Sequence, residues 1–282
     1  MRVIDCMIYS GEADLLKVRL NYLDVFVDKF IIIEATESFS GSVRKLNDNF
    51  KQEIEESFPG KIEWVVLNFP SYLRNPWERE TYQRNHLQII LADGYKNDLI
   101  LLSDLDEFPS SIFIENSKSR YPNFSIAEQS LYQYCIHSKN RNSWHGTIAF
   151  NFLNPNLTPH ELRLKSIKYW ENAENIIEDG GWHFSSFGSF KDKIEKFSHQ
   201  ELNIWPYKTK WFISLMRNFG VSVLGVQEID WVDEEELPMQ ITCNYRHLVV
   251  GRKFFTPLIM VLFKWIFRLR VKELSMPKDF KN

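Results

Sequence analysis

Three carboxylates follow a short apolar run in the sequence, and their spacing is the clearest sign of chemistry in the chain. Leu99–Leu102 is unbroken and apolar, which is typical of a strand buried on both faces of a parallel sheet, and Asp104, Asp106 and Glu107 come directly after it. Ligands of open α/β sheets bind at the carboxyl ends of strands. Because residues two apart in an extended segment share a face, we expect Asp104 and Asp106 to point toward one place.

Two converging carboxylates predict a divalent cation. Mg²⁺ and Mn²⁺ prefer oxygen ligands, and one or two carboxylates commonly hold them together with substrate phosphates. The alternative is a solvated acidic turn that caps a helix opened by Pro109 and Ser110. The buried strand in front of the turn favours the cation, so we assign Asp104 and Asp106 as metal ligands.

Alternating strand and helix patterns precede this turn and must position it. Apolar runs of strand length occur at Val3–Tyr9, Phe30–Glu34 and Lys61–Leu67, with helical spacing between them. This order predicts an α/β fold with a mostly parallel, doubly wound sheet. Longer alternating patterns at Phe124–His137 and Thr147–Leu153 predict an antiparallel extension of the sheet. In a transferase, this extension would form the side of the site that binds the acceptor substrate. No dinucleotide fingerprint or P-loop follows any of these strands.

Further candidate residues come from other predicted elements. Glu34 ends the second predicted strand, and Arg79 and Arg84 lie on a helix predicted from Asn75 through Leu91. An arginine on such a helix is usually a surface ion-pair partner, and guanidinium is also suited to bidentate phosphate contact.

A glycine-rich segment later in the chain also carries a candidate residue. His183 lies between glycines in the stretch from Asp179 to Gly188, and this pattern predicts backbone that approaches a ligand closely. Trp182 beside it, and Trp144 earlier in the chain, are suited either to stacking on a sugar ring or to the core.

Composition limits the possible partners and the compartment. The formal net charge of −3 argues against nucleic acid as a partner. The three cysteines lack zinc or CxxC spacing, so we expect free thiols in a reducing compartment. The N-terminus enters a strand without the apolar core of a signal peptide, which predicts a cytoplasmic protein.

The last thirty or so residues differ in character from the rest. We divide the chain into a main domain at 1–250 and a C-terminal segment at 251–282, where aromatic and aliphatic residues mix with Lys264, Arg268 and Arg270. Its uninterrupted apolar run is about half of the roughly 20 residues that a spanning helix needs. We predict a cationic amphipathic helix on the anionic cytosolic face of a membrane, the alternative being a helix packed on the main domain or on a dimer partner.

Short motifs in a fixed order give the chain a family resemblance. They are Glu12-Ala13-Asp14-Leu15-Leu16, Arg19-Leu20, Val27-Asp28-Lys29-Phe30, Ile33-Glu34-Ala35, Ser40-Gly41, Arg79-Glu80, Gln83-Arg84-Asn85, Ser103 to Pro109, Gly181 to Ser185, and Phe197-Ser198-His199. Together they make the chain resemble glycosyltransferase family seventeen, the family of the β-1,4-mannosyl-glycoprotein 4-β-N-acetylglucosaminyltransferase. It resembles that family as a soluble homologue without the N-terminal membrane anchor.

The resemblance implies a GT-A-type fold, a nucleotide-sugar donor, a divalent metal, and inversion at the anomeric carbon; we take the donor to be a UDP-sugar and the metal to be Mn²⁺ or Mg²⁺. On this basis Asp104 and Asp106 bind the metal and the donor diphosphate, and His183 is a third ligand or a diphosphate contact. Arg79 and Arg84 pair with the donor phosphates, and Glu34 contacts the nucleoside or shapes the site.

An inverting transfer needs a general base that accepts the proton of the attacking hydroxyl. A carboxylate beside the metal is too acidic for this task, so the base should lie elsewhere. Our candidates are Asp179 and Glu201, with Glu171, Glu174 and Glu178 also open.

The sequence therefore predicts a metal-dependent inverting glycosyltransferase. It would move a sugar, for which N-acetylglucosamine is a candidate, from a UDP-sugar to a hydroxyl of a glycan or a lipid-linked saccharide. A glycoside hydrolase fits less well because its two acids normally come from separate elements. The remaining alternatives are a metal-dependent nucleotidyltransferase and a non-catalytic scaffold on a membrane surface.

Overall fold

A computed structural model gives the fold of most of the first 185 residues and of shorter parts beyond them. It describes 1–92, 94–120, 124–151, 157–168, 176–185, 229–232 and 237–245, and single residues at 187, 195, 198, 200, 203, 205, 209, 211, 212, 214 and 216. The predicted C-terminal helix at 251–282 lies outside the described residues.

Four parallel strands form one half of the sheet, as the sequence predicts. They are β1 (Val3–Tyr9), β2 (Lys29–Ala35), β3 (Ile62–Leu67) and β4 (Leu99–Asp104). Their order in the sheet is β3-β2-β1-β4, so β1 lies between β2, which carries Glu34 one residue before its end, and β4, which ends in Asp104. The carboxyl ends of all four strands therefore meet at one edge.

Both faces of this parallel half are apolar, which explains why its strands are continuous hydrophobic runs. In β4, Leu99 and Leu101 belong to the core on one face, while Ile100 and Leu102 belong to the core on the other. Helix residues cover each face: Leu20 packs into the first core and Leu87 into the second.

Four helices connect these strands. They are α1 (Ala13–Leu23), α2 (Asp48–Ser57), α3 (Pro76–Asn85) and α4 (Leu87–Ala92). A capping box fixes the start of α3, since the Asn75 side chain accepts from the Glu78 backbone while the Glu78 side chain accepts from the Asn75 backbone. The single helix predicted from Asn75 through Leu91 is two helices, because α3 ends before His86.

The second half of the sheet is largely antiparallel. Its elements are β5 (Glu107–Pro109), α5 (Ser111–Arg120), β6 (Ser125–Gln133), β7 (Ser138–Asn151), α6 (Pro159–Lys168), β8 (Ile176–Ser185), β9 (Ile229–Trp231) and α7 (Met239–Tyr245). Strand β7 pairs antiparallel with β4, β6 and β9. The predicted antiparallel extension is confirmed, although β7 begins well before the predicted Thr147. The parallel pair of β6 and β8 is an addition that the pattern did not indicate.

Within the described ranges, no helix combines the length and the apolar character that crossing a bilayer requires.

Two glycines in β8 are required by strand packing. A Cβ at Gly181 would lie 2.0 Å from the carbonyl oxygen of Phe108, and one at Gly180 would lie 2.7 Å from Cα of Ala127. Strand β8 runs between β5 and β6, and only glycine permits this approach. The glycines thus allow close contact with neighbouring strands, which corrects our interpretation that they bring backbone near a ligand.

Candidate active site

The acidic turn lies where β4 leaves the parallel half of the sheet. Asp104 is the last residue of β4, and the next strand, β5, begins at Glu107. Leu105 between the aspartates is buried in the hydrophobic core. Leu105 and Asp106 form a turn and not extended backbone, so the strand alternation from which we predicted a shared direction does not apply to the two aspartates.

Asp104 is held between two arginines. Its Oδ1 accepts from Nη2 of Arg84 at 2.8 Å and its Oδ2 from Nη2 of Arg163 at 3.2 Å. Burial acts to raise the pKa of Asp104, but the charges of Arg163 and Arg84 outweigh it and lower that pKa to about 2. About a third of the side chain, 35%, remains exposed. Asp104 is therefore an anion at any working pH, with one side open to a ligand.

Glu107 is fully buried beneath the turn. Its Oε1 accepts from Nε1 of Trp144 at 2.6 Å and pairs with Arg163, and its Oε2 accepts from the Asp104 backbone at 3.1 Å. Burial raises the pKa of Glu107, although the charge of Arg163 opposes this shift. Glu107 thus shapes the turn from below and has no exposed oxygen for a ligand.

Asp106 lies beside His183 because β5 and β8 are paired. Glu107 is opposite His183 in the register, and the Phe184 backbone donates to the carbonyl oxygen of Asp106 at 2.8 Å. Asp106 Oδ1 is consequently 3.4 Å from His183 Nε2. Nδ1 of His183 is buried and has no hydrogen-bond partner among the described residues.

Arg84 is anchored on the side away from Asp104. Its Nη2 also donates to Glu80 Oε1 at 2.9 Å, and its Nη1 is 3.1 Å from Nδ1 of His160. Guanidinium is only a donor, so Nδ1 of His160 accepts and its Nε2 carries the proton, 3.3 Å from the Thr81 hydroxyl. Burial and the charge of Arg84 lower the pKa of His160. The histidine is neutral and holds Arg84 toward Asp104.

This arrangement predicts a pH dependence of stability. Because the pKa of His160 in the folded protein lies below its ordinary 6.5, its contribution to stability is fully present above pH 6.5 and is lost as the pH falls through the folded value. We expect the parent to exceed His160→Ala in melting temperature at pH 8, and the difference to shrink below pH 6.5. A difference that stays constant from pH 8 to pH 5 would contradict this assignment.

Two predicted donor residues bind other parts of the protein. Arg79 donates to the carbonyl oxygens of Phe39 at 2.8 Å and Leu73 at 3.2 Å. Glu34 binds Nη2 of Arg44 at 3.0 Å and Nε1 of Trp64 at 3.1 Å.

Glu34 also lies at some distance from the acidic turn. Ile8 of β1 is opposite both Ile33 and Asp104, so two strand spacings, about 10 Å, separate the end of β2 from Asp104. Burial raises the pKa of Glu34 against the charge of Arg44. Glu34 therefore lies at the same edge of the sheet as the turn but outside the turn itself.

The two candidate bases within the described residues, Asp179 and Glu178, do not contact the turn. Asp179 is exposed, has a φ of 53°, and accepts at its carbonyl oxygen from the Ser110 hydroxyl at 2.7 Å. Asp179 precedes His183 by four positions, and a register shift between Ile177 and Gly181 separates it from the regularly paired part of β8 that carries His183. Glu178 is exposed on the same strand. Glu201, Glu171 and Glu174 lie outside the described residues.

The two predicted tryptophans have different surroundings. Trp182 packs edge-on against Tyr22 with ring centroids 5.9 Å apart, as part of the core. Trp144 lies against His183 at 4.9 Å and beneath Arg163 at 5.9 Å. Of the pair, Trp144 is the one that lines the turn.

The charges around the turn suit a divalent cation. We call the following residues the acidic cluster: Glu80, Asp104, Asp106, Glu107, Arg84 and Arg163. With all four carboxyls ionised, the acidic cluster has an excess of two negative charges over its two guanidiniums, which one divalent cation would neutralise. Among the described residues no three metal-binding side chains converge on one point.

Two of the predicted ligands nevertheless fit a cation. Oδ1 of Asp106 and Nε2 of His183 are 3.4 Å apart, which is close enough for one cation to bind both. Mg²⁺ and Mn²⁺ commonly take only one or two protein ligands when phosphates supply the rest.

Sequence reasoning missed Arg163, Glu80 and His160 as members of this site. Arg163 is buried on α6 and donates to the carbonyl oxygen of Gly146 at 2.9 Å as well as to the acidic turn. In the sequence it is one basic residue in a polar helix, and only the packing of α6 against β7 reveals its role.

Comparisons with known proteins found a family and a structural likeness. Residues 1–205 match the family model described as Glycosyltransferase family 17. Among solved structures, the chain is similar to the galactosyltransferase LgtC in complex with donor and acceptor sugar analogues, with 11% identity and a TM-score of 0.34 over 68% of this chain and 74% of that one. No curated protein matches the sequence.

Proposed function

Because the chain belongs to glycosyltransferase family 17 and is a glycosyltransferase, we propose that it is a metal-dependent, inverting enzyme of GT-A type with a UDP-sugar as donor. One observation carries the proposal: Asp106 of the acidic cluster lies 3.4 Å from His183, in the turn that follows the carboxyl end of β4. Sugar transfer is favoured over nucleotidyl transfer by the family.

Asp106 and His183 would hold Mn²⁺ or Mg²⁺, and Asp104 would join them through its exposed side. When bound, the cation neutralises charge on the phosphate of the leaving UDP. A ligand set dominated by carboxylates suits these two cations better than zinc or copper.

Arg84 and Arg163 bind the donor diphosphate in this proposal. Both guanidiniums pair with the Asp104 carboxylate, Nη2 of Arg84 at 2.8 Å and Nη2 of Arg163 at 3.2 Å. The planar arrangement of donors in a guanidinium also matches the oxygens of a phosphate. A bound diphosphate would share these donors with Asp104. Arg79 and Glu34 would act farther from the diphosphate. Arg79 would support the backbone at Phe39, and Glu34 would contact the nucleoside of the donor.

The acceptor would approach from the antiparallel half of the sheet. An acceptor hydroxyl attacks the sugar carbon from the face opposite UDP while a general base takes its proton. We propose Asp179 or Glu201 for that base. The proposal for Asp179 requires the acceptor to extend along β8, since that residue precedes His183 by four positions and lies on the far side of a register shift in the strand.

The acceptor class follows from the C-terminal segment. A cationic amphipathic helix at 251–282 would bring the enzyme to an anionic cytosolic membrane surface, where a lipid-linked saccharide is available. We therefore propose a glycan or lipid-linked saccharide as acceptor and N-acetylglucosamine as a candidate sugar.

A donor screen tests this function. Purified protein is incubated with a panel of UDP-sugars and Mn²⁺, and released UDP is measured with and without EDTA, while mass spectrometry identifies the products. We expect slow hydrolysis of one or two donors that stops when the cation is removed. No UDP release with any donor, or transfer of a nucleotidyl group, would contradict the proposal.

A further inference from the structure

An arginine on the first helix reaches the underside of the acidic turn. Arg19 lies in α1 and is fully buried, with an exposed fraction of 0%. Its Nε and Nη2 donate to Oδ2 and Oδ1 of Asp5 at 2.9 and 2.7 Å, which makes a bidentate ion pair with β1. This bidentate pair fixes the direction of the remaining donors of the guanidinium.

Those remaining donors all go to the turn and its approach. Nη1 of Arg19 donates to the carbonyl oxygens of Asp104 at 3.3 Å, Leu105 at 3.4 Å and Glu107. Its Nη2 also donates to the hydroxyl of Ser103 at 2.5 Å. One side chain thus binds the backbone or hydroxyl of four of the five residues from Ser103 to Glu107.

The contacts of Arg19 fix the backbone and leave the carboxylates of the turn to other partners. Three main-chain carbonyls directed at one guanidinium hold the chain in a tight bend, while the Asp104 carboxylate pairs with Arg84 and Arg163 and the Asp106 carboxylate lies beside His183. The Arg19 guanidinium also lies 5.6 Å from the ring centroid of Phe108, the residue after the turn.

We propose that Arg19, held by Asp5, is a positioning residue that sets the backbone of the acidic turn for cation and donor binding. This role rests on the proposed function, since the carboxylates it directs are the ones assigned to the cation. Arg19 touches neither substrate nor cation, so its influence passes through the carbonyl oxygens of Asp104, Leu105 and Glu107.

Arg19→Lys tests this role while it keeps the positive charge. An ammonium group can pair with Asp5, but it lacks the rigid fork that reaches both Asp5 and three carbonyls. Residues that orient metal ligands typically change metal affinity or activity by about 10- to 100-fold when altered. We expect the Kd for Mn²⁺, measured by electron paramagnetic resonance of free Mn²⁺, to rise by about that factor.

A control and a second variant separate positioning from general stability. Leu20→Ala removes a fully buried apolar side chain from the same helix and leaves every hydrogen bond between Arg19 and the turn in place. It should lower the melting temperature with the Mn²⁺ Kd unchanged.

Asp5→Asn changes the partner of Arg19 without changing a residue of the turn, because Asp5 lies on β1, where its neighbour in the register is Leu101. Asp5→Asn should raise the Mn²⁺ Kd, as Arg19→Lys does. It replaces Arg19→Lys as the test if that variant does not fold.

The outcomes distinguish this role from the proposed function. Tight Mn²⁺ binding by the parent and about 10- to 100-fold weaker binding by Arg19→Lys or Asp5→Asn, but not by Leu20→Ala, supports the role. Equal Kd values for parent, Arg19→Lys and Asp5→Asn overturn it while the proposed function stands. A parent that binds no Mn²⁺, alone or with UDP, overturns the proposed function and this role with it.

Discussion

Replacement of Asp106 by asparagine should lower metal-dependent donor turnover by roughly a thousand-fold or more. A bound cation contributes several kcal/mol of charge stabilisation in the transition state, and each 1.4 kcal/mol is a factor of about ten in rate. Asparagine keeps the size of the side chain but removes the anionic oxygen that lies 3.4 Å from His183. UDP release from the preferred donor, at saturating Mn²⁺, measures the loss.

The matched control is Asp98→Asn. Asp98 precedes the same strand at its opposite end, where it pairs with Nη2 of Arg2 at 2.5 Å. Its loss should leave kcat unchanged, because the amino ends of the strands are remote from the turn. An Asp106→Asn variant with parent-like turnover, or equal losses in both variants, would contradict the assignment of Asp106.

Arg163→Met should destabilise the folded protein by about 3–5 kcal/mol. The substitution leaves Glu107 fully buried without its cationic partner, and an uncompensated buried charge costs about that much. Urea unfolding at pH 7 measures the change in free energy. Burial already raises the pKa of Glu107. Loss of Arg163 raises it further, so the penalty should be largest at high pH and shrink as the pH falls toward the ordinary value of 4.5.

Two comparisons make this prediction specific. Arg141→Met breaks an exposed pair with Asp230, whose side chains are 57% and 51% exposed, and should cost about 0–1 kcal/mol. In Arg163→Met combined with Glu107→Gln the buried charge is absent, and part of the stability should return. A double variant less stable than Arg163→Met alone, or an Arg163→Met cost as small as that of Arg141→Met, would contradict the buried pair.

The parallel half of the fold could be predicted from sequence because its signals are local. Four apolar runs alternate with helical patterns, and three of the strands, β1, β2 and β4, are buried along nearly their whole length, so periodicity and element order suffice. The turn at Asp104 and Asp106 follows from the same logic. Carboxylates that directly follow a buried parallel strand must lie at the carboxyl edge of the sheet, which is where ligands of such sheets bind.

The interior of the site could not be predicted because its contacts are distant in sequence. Arg163 reaches Asp104 from 59 residues away and Trp144 reaches Glu107 from 37 residues away. Glycine at 181 suggested a ligand, but the constraint is the carbonyl oxygen of Phe108 on the next strand. Local patterns report which residue types are present and do not report which strand passes beside them.

Asp104 and Asp106 have different partners in the structure. Two aspartates two residues apart suggested equal metal ligands, but the structure gives Asp104 two arginine partners and Asp106 a histidine. The difference arises because α3 and α6 each direct a buried guanidinium at the end of β4. Asp104 therefore connects the proposed phosphate-binding arginines to the proposed cation.

Calorimetric titration of UDP into the protein, with and without Mn²⁺, tests the central claim most directly. The claim is that Asp106 and His183 hold a cation that binds the donor diphosphate. It predicts that UDP binds the parent when Mn²⁺ is present, that binding is lost with EDTA, and that Asp106→Asn does not bind under either condition. Equal UDP affinity with and without the cation, or undiminished binding by Asp106→Asn, would contradict it.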